Sequence, residues 1–83
     1  MGNTQGVYWK TTTSTSFLKI GAYPSIPPSI IVNLKLAPKT ALIVYQNPDF
    51  TGESYSFTNT SNKFITIVNP VMRQPRSARV ISQ

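Results

Sequence analysis

The chain has no cysteine and no histidine, and only two of its 83 residues are acidic. Without cysteine there is no disulfide framework, no thiolate metal site and no cysteine nucleophile. Without histidine the usual general base near neutral pH is missing, and Ser-His-Asp and Cys-His catalytic sets are excluded outright. The two carboxylates, Asp49 and Glu53, flank a single turn. A glycosidase needs two carboxyls facing each other across a cleft at roughly 5–9 Å, and a turn tip offers no cleft. Asp49 reads instead as a turn acceptor and Glu53 as a solvated partner for a nearby lysine. The four glycines form neither a phosphate loop nor a dinucleotide fingerprint. No enzyme, no cofactor and no small-molecule substrate is expected.

Long apolar runs are missing as well. No stretch approaches the ~20 residues of a membrane-spanning helix, and no basic head followed by an apolar core opens the chain, so neither a transmembrane segment nor a secretory leader is expected. A cytoplasmic place and export after processing both stay open. Met1-Gly2-Asn3-Thr4-Gln5-Gly6 begins like a myristoylation site but carries Gly6 where Ser or Thr is required.

Positive charge is plentiful. Eight Lys and Arg against two acids give a formal charge of +6, which favours anionic partners such as nucleic acid, acidic glycan or lipid headgroups. Lys10, Lys19, Lys35, Lys39 and Lys63 are scattered along the sequence; only Arg73, Arg76 and Arg79 cluster. With Lys63 they form the candidate anion-binding stripe, because guanidinium groups grip phosphate or carboxylate bidentately. Positions 76 and 79 point to opposite faces if both lie on one strand, and the plainer reading is a solvated connection ahead of the last strand.

Short apolar segments recur without any sustained 3.6-residue period. Gly6–Trp9, Phe17–Ile20, Ile30–Leu36, Ala41–Gln46, Glu53–Thr58, Phe64–Val68 and Ser77–Ser82 are the strand candidates. Ile30, Val32, Leu34 and Leu36 alternate with Ile31, Asn33 and Lys35, the two-residue period of a half-buried strand. The seven prolines fall between these runs, where a missing N–H costs no ladder bond. The pattern predicts an all-β domain of small sandwich or barrel type. At this size only roughly 60% of the unfolded surface is buried.

A weak internal repeat runs through the chain. Val7-Tyr8 and Val44-Tyr45 are 37 positions apart, and at the same offset Leu18 and Ile20 fall on Tyr55 and Phe57. Val32–Leu36 then align with Arg76–Val80 at an offset of 44. Two units, 6–40 and 41–82, would supply eight strands, enough for two packed four-stranded sheets.

The second unit carries a motif. Tyr45, a polar turn, Phe50, Gly52, the alternation of Tyr55 and Phe57 with serines, and then Ser77-Ala78-Arg79-Val80 resemble the Greek-key motif of the βγ-crystallin family. The first unit is degenerate: Tyr8 holds the place of Tyr45, Thr11–Ser16 replaces the aromatic-x-Gly corner, and Asn33 stands at the serine position. The resemblance implies two Greek keys forming a small two-sheet β-sandwich. Tyr45, Phe50, Gly52 and Ser77 would define its folded corner, with Ser77 hydrogen-bonded back onto the hairpin. Many microbial members bind calcium through paired acidic or amide residues, but the corresponding positions here read Met72-Arg73-Gln74-Pro75-Arg76-Ser77 and Pro28-Ser29-Ile30-Ile31-Val32-Asn33. Calcium takes six to eight oxygen ligands, and guanidinium groups stand where they belong, so no metal site is expected. Basic residues mixed with aromatics can stack single-stranded bases, whereas the resemblance assigns most aromatics to the core.

Ala41–Tyr45 and Phe64–Val68 are apolar on both faces of a strand, so they must be covered twice or exposed. Exposed, they are uncharged segments of high β-propensity, flanked only by Lys39 and Lys63. The expected function is therefore a non-enzymatic structural protein that self-associates into a dimer or larger assembly. The alternatives are a basic antimicrobial or toxin-like module acting on anionic polymers or membranes, and a proteinase-inhibitor-like binder presenting the loop 22–28.

Overall fold

The computed structural model describes residues 5–27, 29–68, 70 and 74–83. The opening tetrapeptide of the myristoylation-like segment, Pro28, Met72 and Arg73 lie outside them. Eight strands follow one another: β1 (Gly6–Thr11), β2 (Thr15–Lys19), β3 (Gly21–Tyr23), β4 (Ile31–Leu36), β5 (Thr40–Asn47), β6 (Thr51–Asn59), β7 (Ile65–Val68) and β8 (Ser77–Ser82). They form two antiparallel four-stranded sheets. Sheet A has the order β2-β1-β4-β7 and sheet B the order β3-β8-β5-β6. Each half of the chain contributes three strands to one sheet and sends its third, β3 or β7, to the edge of the other.

The layers follow from the two-residue period. Val7 and Trp9 of β1, Leu34 and Leu36 of β4, Leu42 and Val44 of β5, and Ala78 and Val80 of β8 all point inward into one buried cluster. Each large aliphatic side chain so covered contributes about 1.5–3 kcal/mol relative to exposure. The intervening residues, Tyr8, Lys10 and Lys35 among them, face solvent.

The strand expectations agree with this architecture except at the start of β4 and at two further points. Ile30, grouped with the inward Leu34 and Leu36, is 40% exposed, and Ile31, grouped with the outward residues, is buried, because the register shifts at Lys10/Thr11 and sets Thr11 opposite Ile31. β3 lies at the start of what reads as the proline-rich loop 22–28. With three residues it is too short to show alternation, and it is held by pairing with β8 through Ala22 and Arg79. The second point is the repeat. Gly21 pairs with Val80 and Ile65 with Leu36, an offset of 44 that agrees with the fourth strands. Leu36 and Val80, however, pair with Val7 and Leu42, which are 35 apart, not 37. Tyr8 is thus not the counterpart of Tyr45. Lys10 opposes Asn33 as Tyr45 opposes Ser77, so Lys10 holds that place. Registers that differ by two residues leave the inward and outward sets unchanged, so the hydrophobic pattern cannot separate them.

Four residues, Thr11–Ser14, separate the paired Lys10 and Thr15, whereas eight, Gln46–Glu53, separate Tyr45 and Ser54. The first hairpin lacks the length to fold over its sheet. In the second, Asp49 and Phe50 take positive φ of 59° and 61°, and Gly52 takes 81°. A Cβ on Gly52 would lie 2.7 Å from the tip of the exposed Asn47 side chain, which can turn aside, so it is the positive φ that requires glycine at the corner.

Candidate functional site

The folded corner of the second hairpin covers the outer face of sheet B. Phe50 meets Tyr45 edge-on at 5.5 Å, and the Arg79 guanidinium lies 4.1 Å from the Phe50 ring centre. Ser77 Oγ accepts from the Phe50 amide at 2.9 Å and donates to Asn47 O at 2.6 Å. Tyr45, Phe50, Gly52 and Ser77 therefore meet at one corner.

Among the described residues, nothing comparable covers the outer face of sheet A. Cross-strand pairing sets Phe17, Tyr8, Lys35 and Thr66 in one row and Thr15, Lys10, Asn33 and Val68 in the next; Lys19 opposes Gly6 on the other side. Tyr8 packs against Phe17 at 4.9 Å and against Phe64 at 6.2 Å between ring centres. Phe17 is oriented by lying across Gly6, where a Cβ would meet its Cζ at 2.5 Å. Lys35 Nζ sits 5.2 Å over the Phe64 ring, a cation–π contact worth about 0.5–1 kcal/mol at an exposed site. Tyr8, Lys10, Thr15, Asn33, Lys35 and Phe64 line an open depression of about 460 Å³.

Three lysines share this face, and no Asp or Glu occurs on β1, β2, β4 or β7. Both carboxylates belong to the β5–β6 corner in sheet B. Lys10 and Lys35 are diagonal neighbours either side of Tyr8, roughly 7–8 Å apart along the backbone lattice, so their mutual repulsion lacks an intramolecular counter-charge on the sheet.

The residues singled out from the sequence are placed differently. Arg76 precedes β8, half-buried; its Nε donates to Ile26 O at 3.3 Å. Its backbone is tied to Tyr45 O and to the Ile26 amide. Arg79 is exposed on the outer face of sheet B, over Phe50. Lys63 lies in the β6–β7 turn beside Asn59, which pairs with Thr40. That is the opposite end of β5 from Tyr45 and Arg76, ~17 Å along the strand. Lys63 and Arg76 are not brought together. Arg73 lies outside the described residues. Lys10, Lys19 and Lys35, scattered in sequence, are the ones that the sheet gathers.

Of the positions that the resemblance marks for calcium, Pro28, Met72 and Arg73 lie outside the described residues. The Arg76 guanidinium already donates to Ile26 O, and Ser29 Oγ donates to its own loop at Pro27 O, 3.4 Å. A cation beside Arg76 would meet a guanidinium group where calcium takes oxygen ligands. A second hollow of about 380 Å³ opens beside Trp9, Thr11, Leu18, Tyr23 and Ile26; its walls carry hydroxyls and no charged group, so it does not account for the basic character of the chain.

Compared with known protein families, curated proteins and solved structures, the chain matches none. The functional reading therefore rests on its own residues.

Proposed function

We propose that the chain is a βγ-crystallin-like domain of two Greek keys that exchange their third strands between sheets, and that it acts without catalysis as a binding module for an anionic polymer. The exchange of β3 and β7, the positive φ of Gly52 and the two hydrogen bonds of Ser77 support the fold part of this reading. The observation that carries the functional part is the lysine- and aromatic-bearing outer face of sheet A, left open because the first hairpin is four residues shorter than the second. Two copies of this face repel each other, so it suits an anionic partner better than a second copy of the chain.

The expected result is retention on heparin resin that weakens steeply with salt, as for any contact that releases counterions. The Lys10→Glu/Lys35→Glu variant should elute at markedly lower salt than the wild type with an unchanged melting temperature. Equal retention of the two would remove the face from the reading.

Self-association is a second reading, and a separate feature favours it. β5, one of the two apolar runs expected to be sticky, is an interior strand with Leu42 and Val44 fully buried. β7, the other, is an edge strand with Val68 63% and neighbouring Phe64 46% exposed. Such an edge offers unpaired backbone groups to another strand. Light scattering on a sizing column should then show a dimer that Val68→Lys returns to monomer; a monomeric wild type rejects this reading.

A further inference from the structure

Resting on the reading above that sheet A takes an anionic partner, we propose that its ligand is a single-stranded nucleic acid, with bases stacked on Tyr8 and Phe64 and phosphates held by Lys10, Lys19 and Lys35. The lysines alone would suit any polyanion. The rings narrow the choice. Tyr8 is 42% and Phe64 46% exposed on a sheet face, and Phe17 backs Tyr8 from β2. Exposed aromatic faces beside ammonium groups match a polymer that alternates flat π-surfaces with negative charge. A sulfated or carboxylated glycan has the charge without the flat bases. An anionic bilayer calls for apolar side chains at a protruding tip, whereas these rings border a depression flanked by lysines.

Spacing selects single strands over duplex. The Tyr8 and Phe64 ring centres are 6.2 Å apart, nearly twice the ~3.4 Å rise between stacked bases of one duplex strand. Adjacent bases must unstack to reach both rings, which a single strand does readily. Among the described residues, sheet A also presents no helix to enter a groove. Asn33, opposite Lys10 in the depression, supplies an amide able to donate to and accept from a base edge. Lys35, which lies over Phe64 in the free protein, has a flexible four-carbon stem; a base stacking on Phe64 displaces its ammonium group toward the backbone phosphate.

The test is fluorescence anisotropy with a fluorescein-labelled oligothymidylate of about eight nucleotides, within the span that single-strand-binding β-domains cover. Three phosphate contacts predict a slope of log K against log salt of about −2. Phe64→Leu and Tyr8→Leu should each weaken binding roughly 10- to 100-fold, the worth of one stacked base, with the salt slope and the melting temperature unchanged. Lys10→Glu/Lys35→Glu should weaken binding further than either leucine variant and flatten the slope. Three outcomes overturn the inference while leaving the anionic reading intact. These are equal affinity for a duplex of the same length, equal affinity for heparin or for phosphatidylserine vesicles, and insensitivity of oligonucleotide binding to both leucine variants. No binding of any of these polyanions at about 50 mM salt ends the anionic reading itself.

Discussion

Replacing Asn59 with alanine is expected to lower the unfolding free energy by about 3 kcal/mol and the melting temperature by roughly 12–24 °C. A domain of this length holds only about 4–12 kcal/mol in total, so one side chain decides much of the outcome. Asn59 ends β6 with 1% of its surface exposed. Its amide nitrogen donates to Leu36 O at 3.1 Å, Ala37 O at 3.0 Å and Lys63 O at 2.6 Å, three acceptors sharing two hydrogens. Its oxygen accepts from the Ser61 amide at 3.0 Å and from Ser61 Oγ at 2.6 Å. One residue therefore satisfies the end of β4, the link between the two halves and the β6–β7 turn.

Asn59→Asp sharpens the test because it keeps the shape and removes the donor. A carboxylate there faces three carbonyl oxygens in a buried site, which raises its folded-state pKa above the unfolded value of about 3.9. The folded state then holds its proton longer than the unfolded state. Stability falls as pH rises through the unfolded pKa, and the loss is complete only above the folded pKa. Urea unfolding should show the aspartate variant less stable at pH 7 than at about pH 4, relative to wild type at each pH. A reversed slope, or an alanine variant within about 0.5 kcal/mol of wild type, refutes the role given to this side chain.

The second large effect is expected for Ser77→Ala, a loss of about 2–3 kcal/mol. Ser77 is fully buried, and its hydroxyl satisfies Asn47 O and the Phe50 amide together. It also holds a strained turn: left-handed conformations at Asp49 and Phe50 cost of order 1–3 kcal/mol each and persist only where the surroundings enforce them. Releasing Phe50 uncovers Tyr45 and frees Arg79 from the ring. Hydrogen exchange at the Phe50 amide should accelerate together with the loss of stability. Unchanged protection there would show that the corner does not depend on the serine.

These two sites differ in how far the sequence announces them. The Ser77 corner carries local signatures: an aromatic, a turn with proline, a second aromatic and Gly52 at a fixed spacing. Each answers a conformational demand made within a dozen residues. Asn59 carries none, because its acceptors at Leu36, Ala37 and Lys63 come from three separate segments. The basic face behaves like Asn59. Arg73, Arg76 and Arg79 attract notice because they are neighbours in the chain. Yet the structure turns Arg76 toward Ile26 and lays Arg79 on Phe50, and it leaves Lys63 at the far end of the sheet. Lys10 and Lys35 are 25 positions apart and look unrelated until β1 pairs with β4.

Alternating side chains and proline punctuation were enough to mark an all-β chain and every strand but β3, and the missing cysteine and histidine excluded the commonest catalytic sets. Those properties depend on residues within a few positions of one another. Which strands became neighbours, at what register, and hence which lysines and rings share a surface, was decided only in three dimensions. A two-residue period is blind to a shift of two, and nothing local tells β3 or β7 to leave its own half for the opposite sheet. The shorter first hairpin could be seen as sequence, but its effect, an uncovered basic face, exists only once the sheets are stacked.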